Sequence, residues 1–121
     1  MRALLIVVAA LGAGASQVDV PVYQRGAHVR VETFDGKPAS PPVQRVIAVP
    51  GDRLKVEKTR AFINGEASSS LSSELLVTCG KWDQTVPPGH YFLVGEELEG
   101  QSATRSCSLL PVSRILGVAE R

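Results

Sequence analysis

The sequence is short of charge of either sign: thirteen Lys and Arg stand against twelve Asp and Glu, for a formal charge of +1. Such a balance gives no electrostatic grip on a phosphate backbone, so nucleic acid is not an expected partner. Cysteine and histidine are scarce, with two residues of each. Neither Cys79 nor Cys107 has a second Cys or a His at ligand spacing, and His28 and His90 stand far apart, so no metal site and no cofactor are expected. There is no internal repeat, no stripe of apolar residues at a helical period, and no further hydrophobic span after residue 15. With 44% hydrophobic and 21% charged residues in 121 positions, the chain is neither disordered nor a multispan membrane protein, and it has room for one core.

Met1-Arg2 is followed by an unbroken run of apolar and small residues from Ala3 to Ala15. A positive charge ahead of such a run is the shape of a secretory signal, and as a helix the run would extend about 20 Å, short of the roughly 30 Å hydrocarbon core of a bilayer. Ala13-Gly14-Ala15 has the small-residue pattern of a cleavage site. Residues 1–15 therefore read as a removable signal peptide or a short membrane anchor. Residues 16–121 read as an exported domain, periplasmic or otherwise extracytoplasmic. Export matters for the cysteines, because an oxidising compartment permits a Cys79–Cys107 disulfide; the alternative is two separate small apolar residues.

From Ala27 onward, short runs with period-two alternation or β-branched residues are separated by Gly, Pro and Asn, which predicts a mostly β, single compact domain. Val29, Val31 and Thr33 alternate with polar residues in a first strand, and residues 34–42 read as a loop. Val46 to Val49 forms an apolar strand, Pro50-Gly51-Asp52 a turn, and Asn64-Gly65 a hairpin signal, so that 45–67 reads as a meander. The serine-rich stretch 67–73 reads as a flexible loop, Tyr91 to Val94 as a strand, and 95–108 as a long irregular loop.

Three of these segments, in order, resemble the type I signal peptidase (leader peptidase) family, including its conjugative-transfer maturation peptidases. Gln44-Arg45-Val46-Ile47-Ala48-Val49-Pro50-Gly51-Asp52 resembles the family's K-R-V-I-G-x-P-G-D box, and Phe62-Ile63-Asn64-Gly65 its Y-I-N-G hairpin. Val86-Pro87-Pro88-Gly89-His90-Tyr91-Phe92-Leu93-Val94-Gly95-Glu96 resembles V-P-x-G-H-Y-F-V-M-G-D, with Arg105, Leu109-Leu110-Pro111 and Ile115-Leu116-Gly117 in step further on. Upstream, Pro21 and Gly26 keep the spacing of the nucleophile box S-M-x-P-T-L and its following Gly. The resemblance implies a signal peptidase I/LexA-like complex β-fold. By the same register Val18 stands at the nucleophile position, Gln44 at that of the general base, and Ser16 where the family often has a hydroxyl that helps hold the oxyanion.

The family's mechanism, as the resemblance implies it, uses a Ser nucleophile activated by a Lys base. A hydroxyl needs a base to take its proton, and an amine serves at neutral pH only when burial lowers its pKa. Val18 has no heteroatom, Gln44 exchanges no proton in the relevant range, and a guanidinium such as Arg45 stays protonated. Lys37 and Lys55 have charged neighbourhoods that read as solvated surface, and His28 and His90 read as structural. In the long loop, Gln101 and Ala103 replace the family's Ser and Asp, which leaves Glu96, Glu97 or Glu99 as partners for Arg105. The expectation is a catalytically degenerate domain that retains binding of an extended peptide or preprotein segment, held at the membrane if the amino-terminal segment is uncleaved. Two alternatives stand beside it: an active, divergent leader or conjugation-type peptidase with another dyad, and a secreted structural module of an envelope or conjugation assembly.

Overall fold

A computed structural model describes residues 20–33, 35–68, 71–100 and 102–119. The elements run β1 (His28–Glu32), β2 (Pro38–Ala48), β3 (Arg53–Glu57), β4 (Arg60–Ile63), β5 (Glu66–Ser68), α1 (Ser73–Cys79), β6 (Trp82–Thr85), β7 (His90–Glu99), β8 (Ser102–Pro111), one 3-10 turn (Val112–Arg114) and β9 (Ile115–Val118). They form a five-stranded sheet in the order β8-β7-β2-β1-β9 and a four-stranded sheet in the order β5-β4-β3-β6, with every pairing antiparallel. The mostly β, single-domain expectation holds.

Residue alternation explains why the larger sheet carries a core on each face. On β7, Tyr91 and Leu93 pack with Val29, Val31, Val46 and Ile115, and Tyr23 of the incoming chain closes that cluster. Phe92 and Val94 point the other way, into a core shared with Ile47 of β2, Leu54 and Val56 of β3, and Leu75 and Leu76 of α1. A strand buried on both faces needs a continuous apolar run, and Tyr91-Phe92-Leu93-Val94 supplies one. Two edge-to-face contacts pin the run, Tyr23 on Tyr91 with ring centroids 5.5 Å apart and Trp82 on Phe92 at 4.9 Å.

Four local expectations are corrected. Residues 38–42 are not loop: β2 begins at Pro38, and Pro41 and Pro42 lie where its register with β1 slips between Arg30 and Glu32, so their missing donors interrupt a ladder that is already irregular. The 45–67 meander holds only for β3-β4-β5, because β2 belongs to the other sheet; Asn64 and Gly65, at φ 55° and 86°, do make the β4–β5 turn. The absence of helix is wrong over 73–79. Ser72 caps α1 by accepting from the Leu75 N–H at 3.1 Å, and a helix of 7 residues is too short to display an apolar stripe. Residues 95–108 are not irregular: β7 and β8 form a hairpin paired continuously from His90↔Pro111 to Glu99↔Ser102. Leu98 lies exposed far along this hairpin, where backbone pairing rather than burial holds the strands, so the sequence there lacks a clean alternation.

Cys79, the last residue of α1, and Cys107 on β8 are joined by a disulfide that fastens the helix to the edge strand of the larger sheet.

Candidate functional site

Gln44 sits in the middle of β2 with its side chain on the face that carries Val29, its register partner, and only 3% of the residue is exposed. The amide Nε2 donates to the Pro41 carbonyl at 2.9 Å. Because a carbonyl only accepts, this contact fixes the orientation of the amide and turns Oε1 outward from it. Oε1 is buried and has no hydrogen-bond partner among the described residues.

Gly95 makes room for this arrangement. A Cβ there would lie 2.9 Å from Gln44 Cγ and 2.8 Å from Pro41 Cγ, so any larger residue would push both side chains away. The cross-strand partner of Gly95 is Ser106, whose hydroxyl is also buried and unpartnered among the described residues. Gln44 and Ser106 line one cavity of about 270 Å³, with Val31, Ala39 and Leu110 as its apolar wall.

Arg45, next along β2, lines a different cavity of about 430 Å³ with His28, Pro42, Leu75, Glu96 and Glu97. Arg105 bonds Glu96 through Nε at 2.7 Å, its register partner across the hairpin and one of the three acids considered from sequence. A part-exposed pair of this kind contributes about 0–1 kcal/mol. His90 is held through Nδ1, 3.0 Å from the Pro88 carbonyl, just after Gly89 turns the chain at φ 72°. The Tyr91 hydroxyl accepts from the Tyr23 N–H at 3.1 Å. Pro21 is exposed, and Gly26, at φ 90°, donates its N–H to the Val46 carbonyl at 2.8 Å, which brings the incoming chain alongside β2. Val18 and Ser16 lie outside the described residues.

The Pro50-Gly51-Asp52 segment has a structural part in this site. Asp52 accepts from Arg25 Nε at 2.8 Å and Nη2 at 2.6 Å, from the Val49 N–H at 2.9 Å and from Asn64 Nδ2 at 3.0 Å. One buried carboxylate thus ties the incoming chain to the end of β2 and the β4–β5 turn, linking the two sheets. The Arg25 hydrogen bonds lower its pKa most; burial opposes them, and Val49, Asn64 and the charge of Arg25 lower it further, to about 2 from 3.8. Its contribution is therefore complete above about pH 4 and lost as pH falls through about 2, a difference of about 2 kcal/mol. Chemical denaturation between pH 5 and pH 2 should show the unaltered protein losing about that much more stability than Asp52→Asn. Equal losses would contradict it.

Ser106 and Arg25 were not singled out from the sequence. Ser106 would have been found by reading 95–108 as a hairpin, since its register partner is Gly95. Arg25 stands 27 positions before Asp52, and no local spacing signals the pair.

All four lysines, Lys37, Lys55, Lys58 and Lys81, are exposed. None of them is a desolvated amine, as a Lys base requires.

A family model described as signal peptidase, peptidase S26, matches residues 6–121. The chain is similar in fold to a signal peptidase I from Enterococcus faecalis V583, at 19% identity and a TM-score of 0.57, over 84% of this chain and 100% of that one. Comparison with curated proteins gave no match. With the family model covering nearly the whole chain and the two-sheet fold shared, the chain belongs to the signal peptidase family, peptidase S26.

Proposed function

We propose that this chain is a catalytically degenerate, exported member of its family that binds extended peptide or preprotein segments without cleaving them. The observation that carries the reading is Gln44: the residue that the sequence register puts at the family's base position is a buried amide whose nitrogen is committed to the Pro41 carbonyl. An amide neither gives nor takes a proton near neutral pH, so it cannot activate a hydroxyl. The exposure of all four lysines argues against a substitute amine elsewhere. Val18 at the nucleophile position, by the sequence register, removes the second group. Peptide binding requires neither, since an extended segment can add to a sheet through main-chain hydrogen bonds with side chains entering shallow pockets. The apolar run 3–15 supports placing the domain on the extracytoplasmic side of a membrane.

Fluorescence anisotropy with labelled peptides spanning a preprotein cleavage region tests the binding half. Saturable binding, with the peptide recovered at unchanged mass, is expected. Absence of binding at millimolar protein would favour a structural module of an envelope or conjugation assembly.

A further inference from the structure

We infer that the cavity between β2 and β8 is a subsite for one short, uncharged side chain carrying a hydrogen-bond donor, such as Ser, Thr or Asn, in a bound extended peptide. This inference rests on the peptide-binding reading and specifies what that site selects.

Polar atoms in the wall of the cavity determine what it accepts. Gln44 is 97% buried, and its Oε1 can only accept; with Nε2 held by Pro41, the amide cannot turn to offer a donor instead. Ser106 Oγ can donate or accept. Both are buried and unpartnered among the described residues, a state that is unfavourable for a polar group removed from water. A ligand hydroxyl or carboxamide supplies the proton that Oε1 lacks and meets Ser106 as well. An aliphatic side chain fills the same space and leaves both atoms unmet.

The charges in the lining balance. Arg114, which donates through Nη1 to the Thr33 carbonyl at 3.2 Å, and Glu32 both line the cavity, so its wall carries one formal charge of each sign. Val31, Ala39 and Leu110 give an apolar wall against which the ligand's carbon atoms rest. A volume of about 270 Å³ admits a short side chain or several waters. The absence of a Cβ at residue 95 lets Gln44 lie close against β7, since a Cβ there would stand 2.9 Å from Gln44 Cγ.

The test uses Ala/Gly nine-residue peptides that differ only at the central residue, which is Ser, Thr, Asn, Ala or O-methylserine, titrated by fluorescence anisotropy. The donor-bearing peptides are expected to bind about 2- to 12-fold tighter than the Ala peptide, the value of one net hydrogen bond. O-methylserine keeps an oxygen that can accept from Ser106 but loses the donor that Oε1 needs, and should bind less tightly than Ser. In Gln44→Met and in Ser106→Ala, each checked for a cooperative thermal transition, the preference for a donor should fall towards one. Binding that ignores the central residue, O-methylserine binding as tightly as Ser, or a preference that survives both substitutions would overturn the subsite while leaving peptide binding intact. Failure of every peptide to bind would overturn both.

Discussion

Replacing Cys79 and Cys107 by Ser is expected to lower the stability of the fold by about 3–4 kcal/mol. The bond closes a loop with a sequence separation of 28, and the chain-entropy account of such a cross-link gives about 3.6 kcal/mol at 25 °C. Local structure adds a reason for the dependence. α1 has 7 residues, far below the length at which a helix persists alone in water, and its buried Leu75 and Leu76 contribute to the core only while it lies on the sheets. The disulfide fastens the end of α1 to β8, so losing it frees the element with the least support of its own. Thermal unfolding followed by circular dichroism should show the Cys79→Ser/Cys107→Ser variant melting roughly 10–20 °C lower, and the unaltered protein shifting towards it in reductant. Coincident transitions would show that α1 is held by packing alone.

Placing Ser at position 18 and Lys at position 44, the family's catalytic pair by the sequence register, should produce the largest change in activity. In Val18→Ser/Gln44→Lys the new amine occupies a site that is 97% closed to solvent, with the Pro41 carbonyl as a neutral acceptor. Desolvation disfavours its charged form and lowers its pKa below the ordinary value of about 10.4, towards the range where an amine takes a proton from a hydroxyl. Cooperating catalytic groups are strongly non-additive, and loss of the nucleophile alone costs on the order of 10⁶ in turnover. Val18→Ser and Gln44→Lys alone should therefore remain at the background level, and only the double variant should cleave a preprotein peptide, with a rate that rises as pH increases through the pKa of the buried amine. Cleavage by either single variant would mean that the partner group already exists elsewhere in the chain.

The central strands were legible because burial on two faces, or on one, writes itself into the residues. Tyr91 to Val94 and Val46 to Ile47 are apolar runs, and Val29 and Val31 alternate with charged neighbours. Asn64-Gly65 was legible for a conformational reason, the positive φ at both positions. What failed lies where other forces hold the chain. The distal β7–β8 hairpin is held by backbone pairing and the Arg105–Glu96 contact, and α1, although Leu75 and Leu76 are buried, has too few residues to display an apolar stripe. The start of β2 was hidden by its prolines. The site divides in the same way. Gln44 is pointed to by motif register alone, whereas Ser106 needs the correct strand pairing and Arg25 needs the fold. Asp52 belonged to a recognised box, but its role as the anchor between two sheets and the incoming chain appears only in its four hydrogen bonds.

The most direct measurement is the intact mass of a preprotein peptide after prolonged incubation with the unaltered protein at a high protein-to-substrate ratio. With an amide at position 44, the mass spectrum should match that of a control without protein, under conditions where anisotropy reports the peptide as bound. A discrete cleavage product, formed at a rate that a single Ser→Ala or Lys→Ala substitution elsewhere in the chain abolishes, would contradict the account and identify an active peptidase with a different dyad.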